Sequence, residues 1–354
     1  MAEDSRRKYN VLSLFAGAGG LDLGFEQTGR FQTLAAVEYQ PEFAETLRLN
    51  QRNGYFPKMR VYEADIRELD PHQVAQECFP DGRVDVIIGG PPCETFSLTG
   101  KLAGTNDPRG VLTSQYVRWV IGLRPQAFLM ENVPRLSMGV NRAYLLSEID
   151  RLQRCGYTVE YRVLCAADYG AFTLRNRLIV IGAADAGRVR WQEPSYSSAG
   201  SLLAEPYRTV REALAGLPAV TSAPSGVPDH VAANHIPSVI ARFTRLKQGE
   251  WDTVRRRGRL SWDKPAPTLF AGTVRSVARH IHPDEPRELT NRECARIHGF
   301  PDDFLFAGRP PAVCKQIANS VPVEFARALG LSVAQTLDAF PLEKDRCVPL
   351  SAQG

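Results

Sequence analysis

The residues with the clearest chemical potential lie in the turn Gly89-Gly90-Pro91-Pro92-Cys93-Glu94-Thr95-Phe96-Ser97, which follows the apolar run Val84–Ile88. Two glycines and two prolines end a strand sharply and stiffen the backbone, a poor setting for core packing. Cys93 is therefore expected at the carboxyl edge of a sheet, where open α/β sheets bind ligands. A thiol there is a natural nucleophile, because thiolate is accessible near neutral pH and intrinsically reactive. A second apolar run, Ala127–Met130, ends in Glu131-Asn132-Val133-Pro134. A carboxyl group at a strand end beside the cysteine loop is placed to act as an acid. An apolar, partly closed pocket would raise its pKa and keep it protonated.

Arg175 and Arg177 open a further strand-like run. Alternate strand residues share a face, so both guanidinium groups can point into one cleft. Forked donors suit a pyrimidine carbonyl, a phosphate or the cysteine loop, with edge salt bridges an equal alternative. Between the cysteine and the next helix, Leu98–Gly110 carries Gly100, Gly104, Asn106, Asp107 and Gly110. It reads as a loop able to close over a substrate and expel water.

A binding function is written nearer the start. Leu12-Ser13-Leu14-Phe15-Ala16-Gly17-Ala18-Gly19-Gly20 is a strand running into a glycine turn that opens a helix. Such a turn lets backbone approach a ligand and presents unpaired N–H groups. It is not a complete G-x-G-x-x-G, which disfavours a dinucleotide pyrophosphate. The next strand ends at Glu38, about 20 residues on, where an acidic side chain can accept both ribose hydroxyls of an adenosine. Asp65, after a third strand, could accept from an adenine amino group. Together these favour an adenosine-type cofactor without a pyrophosphate. S-adenosylmethionine fits, and a nicotinamide dinucleotide remains the competitor on these residues alone.

The elements that must hold these groups alternate. Strands are expected over Asn10–Phe15, Thr33–Glu38, Val61–Glu63, Val84–Ile88 and Ala127–Met130. Helices are expected over Leu21–Thr28, Pro41–Asn50, Pro71–Cys78 and Ser114–Ile121. Near-continuous apolar strands separated by amphipathic helices predict an α/β, doubly wound, mostly parallel sheet covered on both faces. Thr158–Val163 and Arg177–Ile181, with no long helix between them, predict one antiparallel pair. From Arg190 to His282 the chain turns rich in Pro, Ser, Gly and Arg, and periodic helices are hard to find. Helical order returns at Asn291–His298, with Thr290 and Glu293 in capping-box spacing, and over Pro322–Leu337. The division expected is a cofactor-binding domain of residues 1–189 and 283–340, a smaller irregular domain of 190–282, and a tail of 341–354.

Bulk properties narrow the partners. No apolar run approaches the roughly 18–20 residues of a membrane span. The first nine residues are polar and charged, against a secretory signal. Seven cysteines without C-x-x-C spacing argue against a disulfide framework and a zinc site, so a cytoplasmic setting and no metal are expected. The formal net charge of +4 permits nucleic-acid binding. The cluster between Arg242 and Arg279, which includes Arg245, Lys247, Arg257 and Arg275, is by itself as compatible with a solvated surface.

Taken in order, six motifs are specific. They are Phe15-Ala-Gly-Ala-Gly-Gly20, Pro91-Pro92-Cys93, Glu131-Asn132-Val133, Arg175-x-Arg177, the run from Arg287 to Pro301, and Gln316-Ile-Ala-Asn-Ser-Val-Pro322. The sequence resembles the DNA (cytosine-5) methyltransferases of the bacterial stand-alone type from Asn10 to about Gly330. The resemblance implies an S-adenosylmethionine-dependent fold with a target-recognition domain. Phe15, Ala16, Gly17, Gly19, Gly20, Leu21, Glu38, Asp65, Ile66, Pro92, Asn319 and Val321 would line the cofactor site. Cys93 would attack cytosine C6, Glu131 would serve N3, Arg177 would contact the base carbonyl, and Arg175 would support the loop or ring. Thr268-Leu269 is similar to the family's Thr-Leu recognition element. Ser97, Arg242, Arg245, Arg257, Thr268 and Arg275 are the expected DNA contacts, with a flipped-out base in the site.

Two positions depart from the family pattern: Glu94 and Thr173 stand where glutamine is usual. The resemblance further implies double-stranded DNA as partner, action as a monomer, and a restriction-modification setting in which a cognate endonuclease makes no direct contact. The alternatives are a tRNA cytosine-5 methyltransferase on the same scaffold and a non-catalytic DNA-binding regulator.

Overall fold

A computed structural model of the chain describes residues 8–92, 110–184, 187–220, 226–252, 257–269 and 280–339. Seven strands form the central sheet: β1 (Tyr9–Leu14), β2 (Phe31–Glu38), β3 (Arg60–Glu63), β4 (Val86–Gly89), β5 (Ala127–Asn132), β6 (Tyr157–Cys165) and β7 (Asn176–Ala184). Their order is β3-β2-β1-β4-β5-β7-β6. The first five pair in parallel, and β7 runs antiparallel to both β5 and β6. The helices are α1 (Gly20–Glu26), α2 (Pro41–Arg52), α3 (Pro71–Cys78), α4 (Gly110–Leu123), α5 (Val140–Arg154), α6 (Val210–Leu214), α7 (Pro237–Thr244), α8 (Asn291–Ile297), α9 (Pro310–Asn319) and α10 (Val323–Ala339). None of the helices is long and apolar enough to cross a membrane, among the described residues.

Strand periodicity sorts the core into two layers, because successive side chains of a strand leave on opposite faces. On one face Leu12, Leu14, Ile87 and Phe128 pack with Val74 of α3, Tyr116 and Val120 of α4, and Leu145 and Leu152 of α5. On the other, Val11, Val86 and Ile88 meet Phe25 of α1 and Phe325, Leu329 and Val333 of α10. Helix α10 thus lies against α1, so the first and last helices among the described residues share a layer.

Several elements depart from the sequence expectation. Helices α5 and α9 were not anticipated. Within 190–282, where periodicity gave no helix, α6 and α7 form, alongside two-residue strand pairings such as Trp251–Asp252 with Arg257–Gly258. That region is bound to the sheet domain by a short parallel pairing of Thr173–Leu174 with Ala266–Pro267. Helix α8 begins as its capping residues predict: Thr290 Oγ1 accepts from the Glu293 N–H at 3.1 Å, and Glu293 Oε2 accepts from the Thr290 N–H at 2.7 Å. Cys93, Ser97, Arg275, most of the expected closing loop and the tail from Phe340 lie outside the described residues.

Candidate active site

Strand order reverses between β1 and β4, and at such a switch point the segments leaving the two strands diverge and open a crevice at the carboxyl edge. The glycine turn leaves β1 there, the Gly-Gly-Pro-Pro segment leaves β4, and Glu131 stands near the end of β5. The two halves of the site follow from these exits.

The first half is built around the glycine turn. Phe15, Gly17 and Gly19 adopt left-handed φ values of 54°, 58° and 81°, which curl the backbone before α1. Glu38, 7% exposed, ties the curl to β2: its Oε2 accepts from the Gly17 N–H and its Oε1 from the Gln40 N–H, each at 2.8 Å. Burial raises the Glu38 carboxyl above its ordinary range while those amides oppose the shift. Space is open above Gly17, where an added Cβ would meet nothing within 4 Å. At Gly20, by contrast, a Cβ would stand 2.6 Å from the Val321 carbonyl oxygen. Only glycine lets the segment after α9 lie flush on the turn. Val321 is buried there and Asn319 is exposed beside it. Ile66 and Leu21 are buried. Asp65 is held by Arg67, whose guanidinium bonds keep its carboxyl below the usual carboxylate range. Tyr39, 69% exposed directly after Glu38, was missed by the sequence reading. An aromatic following the strand-end acid was the available signal. An open curl of amide-bearing backbone, a strand-end carboxylate and an exposed ring suit a nucleoside-bearing ligand.

The second half centres on Glu131 and Arg177, which form an ion pair with Nε 2.6 Å from Oε1 and side chains only 12–13% exposed. The expected apolar pocket around Glu131 is therefore corrected: its near neighbour is a guanidinium, brought across by the antiparallel β5–β7 register. An added Cβ at Gly90 would lie 3.1 Å from Glu131 Oε2, so the cysteine segment passes directly over this carboxylate. Asn132 joins the two, its Nδ2 donating to the Pro91 carbonyl at 3.0 Å. These contacts put Gly90 and Pro91 beside Glu131 and Asn132.

Arg175 does not share the cleft with Arg177. It is 2% exposed and donates to the carbonyls of Ala318 at 2.8 Å, Asn319 at 3.4 Å and Leu269 at 3.5 Å. The expectation of a second cleft arginine is corrected to a clamp. Residue 175 stands just before β7, whose alternation starts at Asn176, and its side chain turns inward to backbone. Burial and the Arg177 charge push its guanidinium down to about 9, still protonated at neutral pH.

In the 190–282 region the basic cluster divides. Arg242 pairs with Asp252 at 2.9 Å, and Arg257, 9% exposed, pairs with Glu288. Arg259 donates to the carbonyls of Phe243 and Pro283 at 2.8 and 2.9 Å. Arg257 is committed to an internal carboxylate, which corrects its reading as a DNA contact, while the Arg242 side chain keeps 31% exposure beside Asp252. Arg245 and Lys247 are exposed, and Trp251 is 45% exposed. Thr268 gives its hydroxyl proton to the Leu174 carbonyl at 2.7 Å, which anchors the Thr-Leu element next to Arg175.

The sheet order and the crevice at its switch point define a doubly wound α/β protein whose glycine turn suits a nucleoside-bearing ligand. Residues 9–335 match the family model described as C-5 cytosine-specific DNA methylase, and the chain belongs to that family. It is 35% identical to the Type II methyltransferase M1.HphI of Haemophilus parahaemolyticus, over 91% of this chain and 86% of that one. It is 36% identical to the Type II methyltransferase M.PspPI of a Psychrobacter strain, over 96% and 82%. Among solved structures it resembles a putative DNA modification methyltransferase encoded within a prophage (E. coli), with a TM-score of 0.77 and 27% identity over 94% of this chain and 100% of that one. The protein is a DNA cytosine-5 methyltransferase that uses S-adenosylmethionine as methyl donor.

Proposed function

We propose that Cys93 is the covalent nucleophile, that Glu131 and Arg177 hold the target cytosine, and that the glycine-turn pocket holds S-adenosylmethionine. The observation that carries this reading is the Glu131–Arg177 pair lying beside Pro91, two residues from the thiol. When bound, the cofactor supplies a methyl group made electrophilic by a positive sulfur. Glu38 would accept from its ribose hydroxyls, Asp65 from its adenine amino group, and Tyr39 would cover the ring. Phe15, Ala16, Gly17, Gly19, Gly20, Leu21, Ile66, Pro92, Asn319 and Val321 complete the walls.

Carbon 5 of cytosine is a weak nucleophile. Addition of the Cys93 thiolate forms a sulfur–C6 bond and shifts an electron pair onto C5, which makes that carbon enamine-like. Glu131 hydrogen-bonds or protonates N3, where charge would otherwise build up. Arg177 fixes the Glu131 carboxyl and can donate to the base carbonyl from the same fork. After methylation, loss of the C5 proton and departure of Cys93 restore the ring. None of these contacts is available within a stacked duplex, so the base must swing out.

For the duplex itself, the exposed Arg245 and Lys247 suit phosphates and Trp251 offers an aromatic face, while Thr268, Ser97 and Arg275 remain proposed contacts. We place the functional division at 1–189 with 283–340 for the cofactor and 190–282 for recognition. The names of its relatives favour a role in restriction-modification. A cytoplasmic setting, action as a monomer and a cognate endonuclease that makes no direct contact belong to the same proposal. The deciding experiment incubates the protein with the methyl donor and DNA bearing 5-fluorocytosine at methylated sites. A covalent adduct mapped to Cys93 is expected, and an adduct elsewhere removes the assignment.

A further inference from the structure

We propose that His298 is a positioning residue for the cofactor side of the active site, fixing Ser320 so that Asn319 and Val321 are held against the glycine turn. The inference rests on the reading that Asn319 and Val321 line the cofactor pocket. His298 caps the end of α8, far in sequence from both strand-end loops, and is completely buried. Its Nδ1 lies 3.1 Å from Ser320 Oγ. The serine proton is already donated to the Ile317 carbonyl at 2.7 Å. A hydroxyl has one proton to give, so Nδ1 must carry the hydrogen and donate to Oγ, which leaves Nε2 bare. The ring stays in that neutral form because burial and the charges of Arg175 and Arg177 all disfavour imidazolium.

The main chain repeats the link: the His298 carbonyl accepts from the Val323 N–H at 2.9 Å. One residue thus grips both sides of Val321, whose carbonyl rests on Gly20. Arg175 grips the same stretch through the Ala318 and Asn319 carbonyls. Ser320 and Arg175 would fix the backbone of 318–320 from two directions, and His298 is the one that orients the serine. An apolar residue of similar size would fill the volume and lose the orientation.

The test compares His298→Leu, His298→Gln, Ser320→Ala and the double variant His298→Leu/Ser320→Ala by steady-state kinetics, with Asn319→Ala alongside. Loss of one buried hydrogen bond should raise the KM for S-adenosylmethionine about five- to tenfold in His298→Leu, with a smaller change in kcat and none in the KM for DNA. Ser320→Ala should give at least that shift, because it also removes the bond to the Ile317 carbonyl, and the double variant should be no worse than Ser320→Ala alone, which already deletes the shared bond. His298→Gln, whose amide N–H can donate to Ser320, should recover most of the affinity. An unchanged cofactor KM in His298→Leu, additive effects in the double variant, or a glutamine as poor as leucine each overturns the proposal. If His298→Leu fails to fold, Ser320→Ala decides, because it deletes only a hydroxyl. Unchanged cofactor affinity in Asn319→Ala removes the underlying reading of the pocket and the His298 role with it. A weakened Asn319→Ala beside an unaffected Ser320→Ala removes the His298 role alone.

Discussion

Arg177 Nε sits 2.6 Å from Glu131 Oε1, on adjacent antiparallel strands at the edge where the cysteine segment leaves the sheet. The pair makes orientation of the carboxylate depend on its partner. Glu131→Gln keeps the shape and one acceptor but weakens the charge-assisted bond, so kcat should fall about 10²- to 10⁴-fold. DNA affinity should change far less. A gel-shift titration beside single-turnover methylation separates the two, and a near-normal rate would sink the role given to Glu131.

Cys93→Ala should abolish methyl transfer while cofactor binding, followed by calorimetry, stays within about threefold of the parent. The pocket walls described around Gly17, Glu38 and Val321 do not depend on a thiol. Retained turnover would show that another group carries the covalent step.

Gly90 offers a test that leaves every reacting group in place. A methyl group there would press on Glu131 Oε2 from 3.1 Å, tighter than ordinary van der Waals contact. Gly90→Ala should therefore lower kcat by roughly 10-fold or more, since small displacements of a catalytic group are costly. Its melting temperature should stay close to that of the parent. A variant with a parental rate would mean that the carboxylate has room to move.

The basic region makes opposite predictions for two arginines. Exposed Arg245 should act at a phosphate, so Arg245→Ala should weaken DNA binding and reduce the salt slope by about one. Arg257 faces Glu288 inside the protein, so Arg257→Ala should cost about 3 kcal/mol of stability by removing the guanidinium that faces a buried carboxylate. Denaturant melts and salt titrations of the two variants should give this split. A change in salt slope for Arg257→Ala with unchanged stability would reverse it.

Asp22 supplies a prediction for pH. It is fully buried on α1, and desolvation raises its carboxyl to about 6, with Thr33 and backbone bonds offsetting part of the shift. Unfolded aspartate titrates near 4. A folded pKa above the unfolded one means that the folded chain holds the proton more tightly. Stability is then fully present below about pH 4 and is lost as pH rises to about 6. Asp22→Asn should remove this decline and melt higher than the parent at pH 8, by up to roughly 3 kcal/mol. Equal melting at pH 8 would contradict it.

Most of the sheet was legible because buried parallel strands are nearly continuous apolar runs: Val11–Leu14 and Val86–Ile88 could be little else. Helix α5 was missed although Leu145, Ile149 and Leu152 repeat at helical spacing and are buried. Its other positions are mostly polar, and it starts after Gly139 without a side-chain cap. Helix α9 was hidden by Pro310 and Pro311, which look like breakers but occupy first-turn positions where no intrahelical N–H is needed. The site was readable where a residue type states its own chemistry, as with Glu38 after its strand. Partners were not readable. Nothing in a charge count distinguishes Arg245, in water, from Arg257, against Glu288, because that difference is made by chain segments about 30 residues apart. The inward turn of Arg175 likewise depends on carbonyls some 140 residues downstream.

The packing of α10 on α1 has a temporal meaning. A ribosome makes the glycine turn about 300 residues before the Val321 segment that lies on it. Until that later segment emerges, α1 lacks the cover that Phe325 and Leu329 provide, and the glycine turn lacks the backbone that lies flush on it. This layer of the fold therefore closes only after α10 has been made, however early the sheet strands are available.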